Sequence, residues 1–255
     1  MHNNIVSIQQ QLKSLNFAET AKIVPDLIQK AELDDWTYHQ FLRELLGYEQ
    51  KRREEKQVEK RLKWAAFPFH KTLNEFDIEE QQSLSRRQFK QLGELSWLDQ
   101  MFNLILLGPP GVGKTHLAVG LGLEAIYKGY KVSFISMGEL VHTLKTEEIT
   151  RKSQNRLKRI RGSNLIIIDD LMFMAMDQRE ANLFFHLIND LYNNASIILT
   201  SNKGPSDWGE LIGDPAITTA ILDRIVHRSE ILYLNGDSYR MKHRSSIFEE
   251  ETVQN

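Results

Sequence analysis

The sequence predicts an α/β protein built on a doubly wound, parallel five-stranded sheet, preceded by a small all-helical domain. Three observations carry that expectation. From Asn103 onward, short apolar runs alternate with helix-length segments, the pattern that yields parallel strands joined by right-handed crossovers. Before about residue 67 the pattern is helical throughout. The first apolar run also ends in a glycine-rich turn, which puts a ligand at the carboxyl ends of the strands.

The helical part starts with Ile5, Ile8, Leu12 and Leu15 at three- and four-residue steps. A second helix is expected from Asp34, as N-cap, through Phe41, Leu42, Leu45 and Leu46. It runs into Lys51 to Lys63, which holds seven basic and three acidic residues. Arg52, Lys56, Lys60 and Lys63 fall on one face of it, and Phe67-Pro68 ends it. These features divide the chain into residues 1–66, a connector over 67–102 with one short helix around Arg86 to Leu92, and a sheet-bearing domain over 103–255. The expected strands are Asn103 to Leu107, Lys131 to Ser136, Leu165 to Asp169, Ser196 to Thr200 and Glu230 to Leu234. A helix from His116 to Lys128 is stopped by Gly129, while Ser136 with Glu139 and Asp177 with Glu180 fit capping boxes.

Composition narrows the class. The 255 residues allow one to two domains. With no cysteine, disulfides and thiolate metal sites are excluded, which suits a reducing cytosol. The start of the chain lacks a basic segment followed by an apolar one, and no stretch approaches the roughly 18 apolar residues of a membrane span. A cytoplasmic protein with no membrane partner is expected.

Residues 104–115 read Leu-Ile-Leu-Leu-Gly-Pro-Pro-Gly-Val-Gly-Lys-Thr, a P-loop by spacing. Glycines let the backbone curl until successive N–H groups cradle phosphate oxygens, and the following helix aims its positive end at the same anion. The cradle comprises Gly108, Pro109, Pro110, Gly111, Val112, Gly113, Lys114, Thr115 and His116. Lys114 is placed to reach the β and γ phosphates of ATP, and Thr115 to offer Mg²⁺ a hydroxyl oxygen. Downstream, Leu165-Ile-Ile-Ile-Asp169-Asp170 delivers two carboxylates, the Walker B arrangement. Asp169 is expected to hold Mg²⁺, and Asp170 to orient or deprotonate the attacking water. Asn202 follows the fourth strand, either as a turn residue or as a group that bonds the water or the γ-phosphate. Arg224 and Arg240 lie near the last strand, where guanidinium suits transition-state charge, although position alone also fits solvated surface arginines.

With these motifs in order, the chain resembles the IstB family, the ATPase helpers of insertion-sequence transposases. The resemblance rests on Gly-Pro-Pro-Gly-Val-Gly-Lys-Thr-His-Leu-Ala, Ile-Ile-Ile-Asp-Asp-Leu, Leu-Thr-Ser-Asn-Lys, Asp-Trp-Gly-Glu, Ala-Ile-Leu-Asp-Arg-Ile-Val-His-Arg and Gly-Asp-Ser-Tyr-Arg, and extends over about residues 5–245. It implies an AAA+ ATPase close to the DnaC helicase loaders and DnaA initiators. It further implies a homo-oligomer, dependent on ATP and DNA, that prepares duplex target DNA and assists a cognate transposase. By motif, it makes Asn202 sensor 1, Arg224 an arginine finger acting on the neighbouring subunit's ATP, and Arg240 sensor 2. Two departures stand out. Met172-Phe173 replace the family's usual Gly-Tyr after Asp-Asp-Leu. Only residues 235–255 follow the last strand, a reduced lid that leaves a neighbouring subunit to help close the site.

Residues 151–161 hold six basic residues and no acid, with Lys152, Arg156 and Arg159 on one helical face. Such a face binds DNA phosphates through counterion release, or is simply a solvated charged helix. The basic face of residues 51–63 is open to the same two readings. A DnaC-like helicase loader, gripping a helicase with the N-terminal helices, is the main alternative function. A small-molecule phosphotransferase would explain the P-loop but neither Asp170 nor the basic helix.

Overall fold

The computed structural model describes residues 2–81, 83–171, 176–208 and 214–242, in two compact units over residues 1–60 and 61–255. The first unit contains α1 (His2–Ser14), α2 (Thr20–Leu33) and most of α3 (Tyr38–Ala65). The sequence reading missed α2. Its buried side chains are Thr20, Ala21 and Val24, too small to give an apolar stripe, and Pro25 lies inside it. Asp34 is not an N-cap: it caps the C-terminus of α2, its amide bonding the Lys30 carbonyl. Thr37 starts α3 instead, its amide donating to Gln40 Oε1 and its Oγ1 accepting the Gln40 amide.

Two buried carboxylates organise this unit. Glu49 accepts from the Thr20 amide and hydroxyl at 3.0 and 2.7 Å and from Arg53 at 2.8 Å. Burial opposes its ionisation, yet those three donors outweigh burial and hold its carboxyl below the usual range. Glu19 takes Lys56 at 2.6 Å and Lys22 at 2.9 Å, and these bonds bring its pKa down to about 2.

The second unit is the sheet with its helices. β1 (Asn103–Leu107), β2 (Val132–Ser136), β3 (Leu165–Asp169), β4 (Ser196–Ser201) and β5 (Ser229–Tyr233) run parallel in the order β2-β3-β4-β1-β5. Four of the five are near-continuous buried runs, as a sheet covered on both faces requires. Register is tight at the centre, with Ile105 opposite Leu199 on one side and Ile231 on the other. The polar start of β1 is fully used: the buried Asn103 amide donates to the Ile225 carbonyl and its Oδ1 accepts the Ile197 amide. The strands thus fall within one residue of expectation.

Around the sheet lie α4 (Arg86–Gly93), α5 (Ser96–Asp99), α6 (Lys114–Tyr127), α7 (Met137–Lys145), α8 (Arg151–Arg161), α9 (Gln178–Leu191), α10 (Pro215–Val226) and α11 (Tyr239–Lys242). Asp177 and Glu180 make the expected capping box of α9. At α7 only half of that motif forms. Ser136 accepts the Glu139 amide, but the Glu139 carboxylate pairs with Arg156.

Residues 67–102 pack closely on α6. Cβ atoms added at Gly120 and Gly122 would lie 2.6 Å from Leu73 and 2.8 Å from Phe67, so only glycine admits these side chains. Phe76 reaches Gly113, stacks on Phe89 at 5.5 Å and meets the His116 ring edge-on at 5.3 Å. Among the described residues no helix is long and apolar enough to cross a membrane.

Candidate nucleotide-binding site

The site begins where β1 ends. Gly108, Gly111 and Gly113 take φ of 146, 88 and 97°, which curls the backbone back on itself before α6 starts at Lys114. At Gly108 the Leu234 carbonyl comes so close that a Cβ would sit 2.1 Å from it. Lys114 then turns back into the loop. Its Nζ donates to the carbonyls of Gly108 at 2.7 Å and Pro109 at 2.9 Å, and to Asn202 Oδ1 at 2.8 Å. Burial lowers the ammonium's pKa, and Arg240 acts in the same direction, against the opposing pull of Asp170 and Asp169.

Behind the loop, Thr115 Oγ1 donates to Asp169 Oδ1 at 2.9 Å, so the two groups expected at a divalent cation converge. Thr200 Oγ1 donates to the same Oδ1 at 2.7 Å and accepts the Asp170 amide at 2.9 Å. Asp170 stands just past β3 with φ of 59°, a left-handed conformation uncommon for a non-glycine residue. These groups open on a cleft at the carboxyl ends of β1, β3 and β4. Its walls include Pro110, Gly111, Gly113, Lys114, Thr115 and His116. Asp169, Asp170, Asn202 and Arg240 face it from the other side. Val112 is buried beneath the loop, its carbonyl accepting from Gln81. His116 donates Nε2–H to the Thr72 carbonyl at 3.1 Å, and burial lowers its pKa, which keeps the ring neutral at pH 7.

The donor set fits a nucleoside triphosphate with Mg²⁺. Curled glycine backbone and a buried ammonium suit the phosphates, and a hydroxyl beside a carboxylate suits a hard cation. Four contributors were not read from the sequence. Phe69 and Lys71 wall the cleft from the connector, Tyr239 ties α11 to the loop through its amide and the Gly111 carbonyl, and Thr200 carries the bonds just described. Thr200 and Tyr239 stood inside the Leu-Thr-Ser-Asn-Lys and Gly-Asp-Ser-Tyr-Arg motifs but were given no role of their own.

Arg224 is not among the residues that line this cleft. Its guanidinium lies 4.8 Å from the Phe185 ring, donates Nε–H to Asn189 Oδ1 and bonds the Ala220 carbonyl. On α8, Lys152, Arg156 and Arg159 line a separate cleft, but they differ in role. Lys152 and Arg159 are exposed, Arg159 lying 5.5 Å over the Trp64 ring. Arg156 is turned inward: its side chain is 13% exposed, bonds the Phe134 carbonyl and pairs with Glu139 at 3.4 Å. On α3, Arg52 pairs with Glu55 and Lys56 with Glu19, while Lys60 and Lys63 are exposed. Met172 and Phe173, and residues 243–255 beyond α11, lie outside the described residues.

A P-loop on β1, a carboxylate pair on β3 and a polar residue closing β4 in this strand order define an AAA+ P-loop ATPase fold. The chain belongs to the IstB-like ATP binding protein family, whose sequence model matches residues 10–247. It is 40% identical over 233 residues, covering 91% of this chain and 88% of the relative, to a Pseudomonas aeruginosa protein named for ATP binding in insertion sequence IS21. An IS21-like relative from Bacteroides fragilis is 36% identical over 249 residues, covering 98% of this chain and 94% of its own. Among solved structures, AMPPCP-bound DnaA from Aquifex aeolicus matches with a TM-score of 0.55 at 23% identity, over 69% of this chain and 54% of its own. DnaI matches with a TM-score of 0.55 at 18% identity, over 67% of this chain and 91% of its own. At such identities the likeness is one of fold.

Proposed function

We propose that this protein is a Mg²⁺-dependent, DNA-stimulated ATPase that assembles with ATP on duplex target DNA and assists a cognate transposase. The observation that carries the proposal is the partition of site residues. Lys114, Thr115, Asp169, Asp170, Asn202 and Arg240 belong to one cleft, whereas Arg224 is held apart on α10 and α9.

In this reading the glycine loop and Lys114 bind the β and γ phosphates, Thr115 and Asp169 hold Mg²⁺, and the bound cation offsets charge on the phosphate oxygens. Asp170 orients the attacking water and takes its proton as the new oxygen–phosphorus bond forms, while the bond from the γ-phosphorus to the oxygen bridging to the β-phosphate breaks and ADP leaves with that oxygen. Asn202 would exchange its Lys114 bond for the water or γ-phosphate. Arg240 closes the cleft in cis, and Arg224 serves the ATP of the adjacent subunit, so turnover requires assembly.

DNA contact is assigned to Lys152 and Arg159, with Arg156 bracing their helix. The N-terminal helices of residues 1–66 contribute Lys60 and Lys63, and Arg52 and Lys56 alongside them. Residues 67–102 connect them to the ATPase domain of residues 103–255. This work is cytoplasmic, beside the DNA. Gel shift on plain duplex with a non-hydrolysable ATP analogue tests the proposal: the protein is expected to coat the duplex only with nucleotide. Binding that appears only once a replicative helicase is added would replace it with a helicase-loading role.

A further inference from the structure

We infer that Thr200 is a positioning residue that fixes both Walker B carboxylates through its single hydroxyl. The hydrogen-bonded pairing of β3 with β4 ends at Ile168 opposite Leu199, one residue short of Asp169. Beyond that point β4 is paired only with β1, through Thr200 and Ser201. Asp169 keeps its ladder pairing with Ser136 on the β2 side, but β4 offers Asp169 and Asp170 no ladder pairing to hold them in place. The Thr200 side chain does so instead.

A hydroxyl has one proton and two acceptor sites. Thr200, 1% exposed, gives its proton to Asp169 Oδ1 at 2.7 Å and accepts the Asp170 amide at 2.9 Å. Asp169 Oδ1 also receives the Thr115 hydroxyl at 2.9 Å, so two hydroxyls from different elements fix that carboxylate's rotation. The amide bond does a separate task. It anchors Asp170 in its left-handed conformation at φ of 59°, which sets the direction of its side chain. Two residues further along, Asn202 bonds Lys114 at 2.8 Å. The end of β4 therefore touches both halves of the site, Walker B through Thr200 and Walker A through Asn202. A rotation of this strand end would move the cation ligand, the proton acceptor and the phosphate-binding lysine together.

The inference rests on the proposed Mg²⁺-dependent ATPase activity, and the test separates the two. Thr200→Val keeps shape and removes the hydroxyl; Thr200→Ser keeps the hydroxyl. Three quantities are compared with wild type: amide exchange at Asp170, the gain in affinity for a fluorescent ATP analogue on adding Mg²⁺, and kcat against KM for ATP. In Thr200→Val the Asp170 amide should exchange about tenfold faster or more, and the Mg²⁺-linked gain should fall about tenfold, as expected for loss of a charge-assisted bond. Its kcat should fall roughly 10- to 100-fold with KM changed only a few-fold. Thr200→Ser should restore all three. If Thr200→Val does not fold, Thr200→Ala makes the same comparison. Wild-type exchange, Mg²⁺ gain and kcat in the hydroxyl-free variant would overturn the inference, and so would equal impairment in Thr200→Ser, which would point to packing. A wild-type protein without ATP hydrolysis would refute the ATPase reading, while amide exchange and Mg²⁺-linked binding would still decide the role of Thr200.

Discussion

Arg156→Met separates bracing from DNA contact on α8. The substitution keeps an apolar stem of similar length but removes a guanidinium that is 13% exposed, bonds the Phe134 carbonyl and faces a Glu139 side chain that is 54% exposed. β2 is an edge strand of the sheet, and Arg156 occupies that buried carbonyl, which no neighbouring strand reaches. A charged hydrogen bond of this kind contributes about 1.5–3 kcal/mol, and the half-exposed pair with Glu139 adds at most ~1 kcal/mol. A loss of about 2 kcal/mol would lower the melting temperature by about 4–8 °C in a protein of this size. The double variant Lys152→Glu, Arg159→Glu should behave in the opposite way. It forfeits one exposed cation–π contact worth about 0.5–1 kcal/mol, yet should flatten the slope of log affinity against log salt on duplex DNA by about two units. Thermal melts and salt-titrated gel shifts measure both variants. If Arg156→Met melts with wild type and weakens duplex binding as much as the double variant, Arg156 is a DNA contact and the bracing argument is wrong.

Three other expectations concern the nucleotide cleft and the N-terminal helices. Lys114→Ala should abolish binding of a fluorescent ATP analogue, while Asp170→Asn should bind it normally and lose at least about 100-fold in turnover; wild-type turnover in the latter would remove Asp170 from its role. Arg224→Ala should retain nucleotide affinity yet lose roughly 10³-fold in DNA-stimulated turnover, and mixing it with Lys114→Ala should recover activity, since one variant keeps the cleft and the other the guanidinium. Absence of recovery would argue against action across an interface. Glu19 has its pKa brought down from 4.5 to about 2 by bonds from Lys56 and Lys22, so the stability it confers is present above pH 4.5 and lost as pH falls toward 2. Urea midpoints of Glu19→Gln should therefore change less between pH 4.5 and 2 than those of wild type.

Features governed by a local rule were legible in the sequence. The P-loop glycines, the five strands and the Asp177–Glu180 box each follow from residue type and spacing, and the structure places them as expected. Features set by tertiary partners were not. Asp34 carries the chemistry of an N-cap, but which helix end it serves depends on α2, a helix whose small buried side chains leave little periodic signal. Arg156 shares a helical face with Lys152 and Arg159 by periodicity, yet the edge carbonyl of β2 draws it inward. Thr200 looks like any strand threonine until the pairing of β3 with β4 is seen to stop at the residue before it.

The seating of Phe67 and Leu73 against Gly122 and Gly120 constrains how the protein can be dissected and how it can change. A fragment cut at Asn103 would retain every strand but bare a strip of α6, together with the Gly113 side of the phosphate loop where Phe76 rests. Such a piece would present apolar surface to water and tend to associate through it. By the same geometry, a side chain larger than glycine at 120 is compatible only with a smaller one at 73. The two segments are thus bound to vary as a pair, although nearly fifty residues of chain separate them.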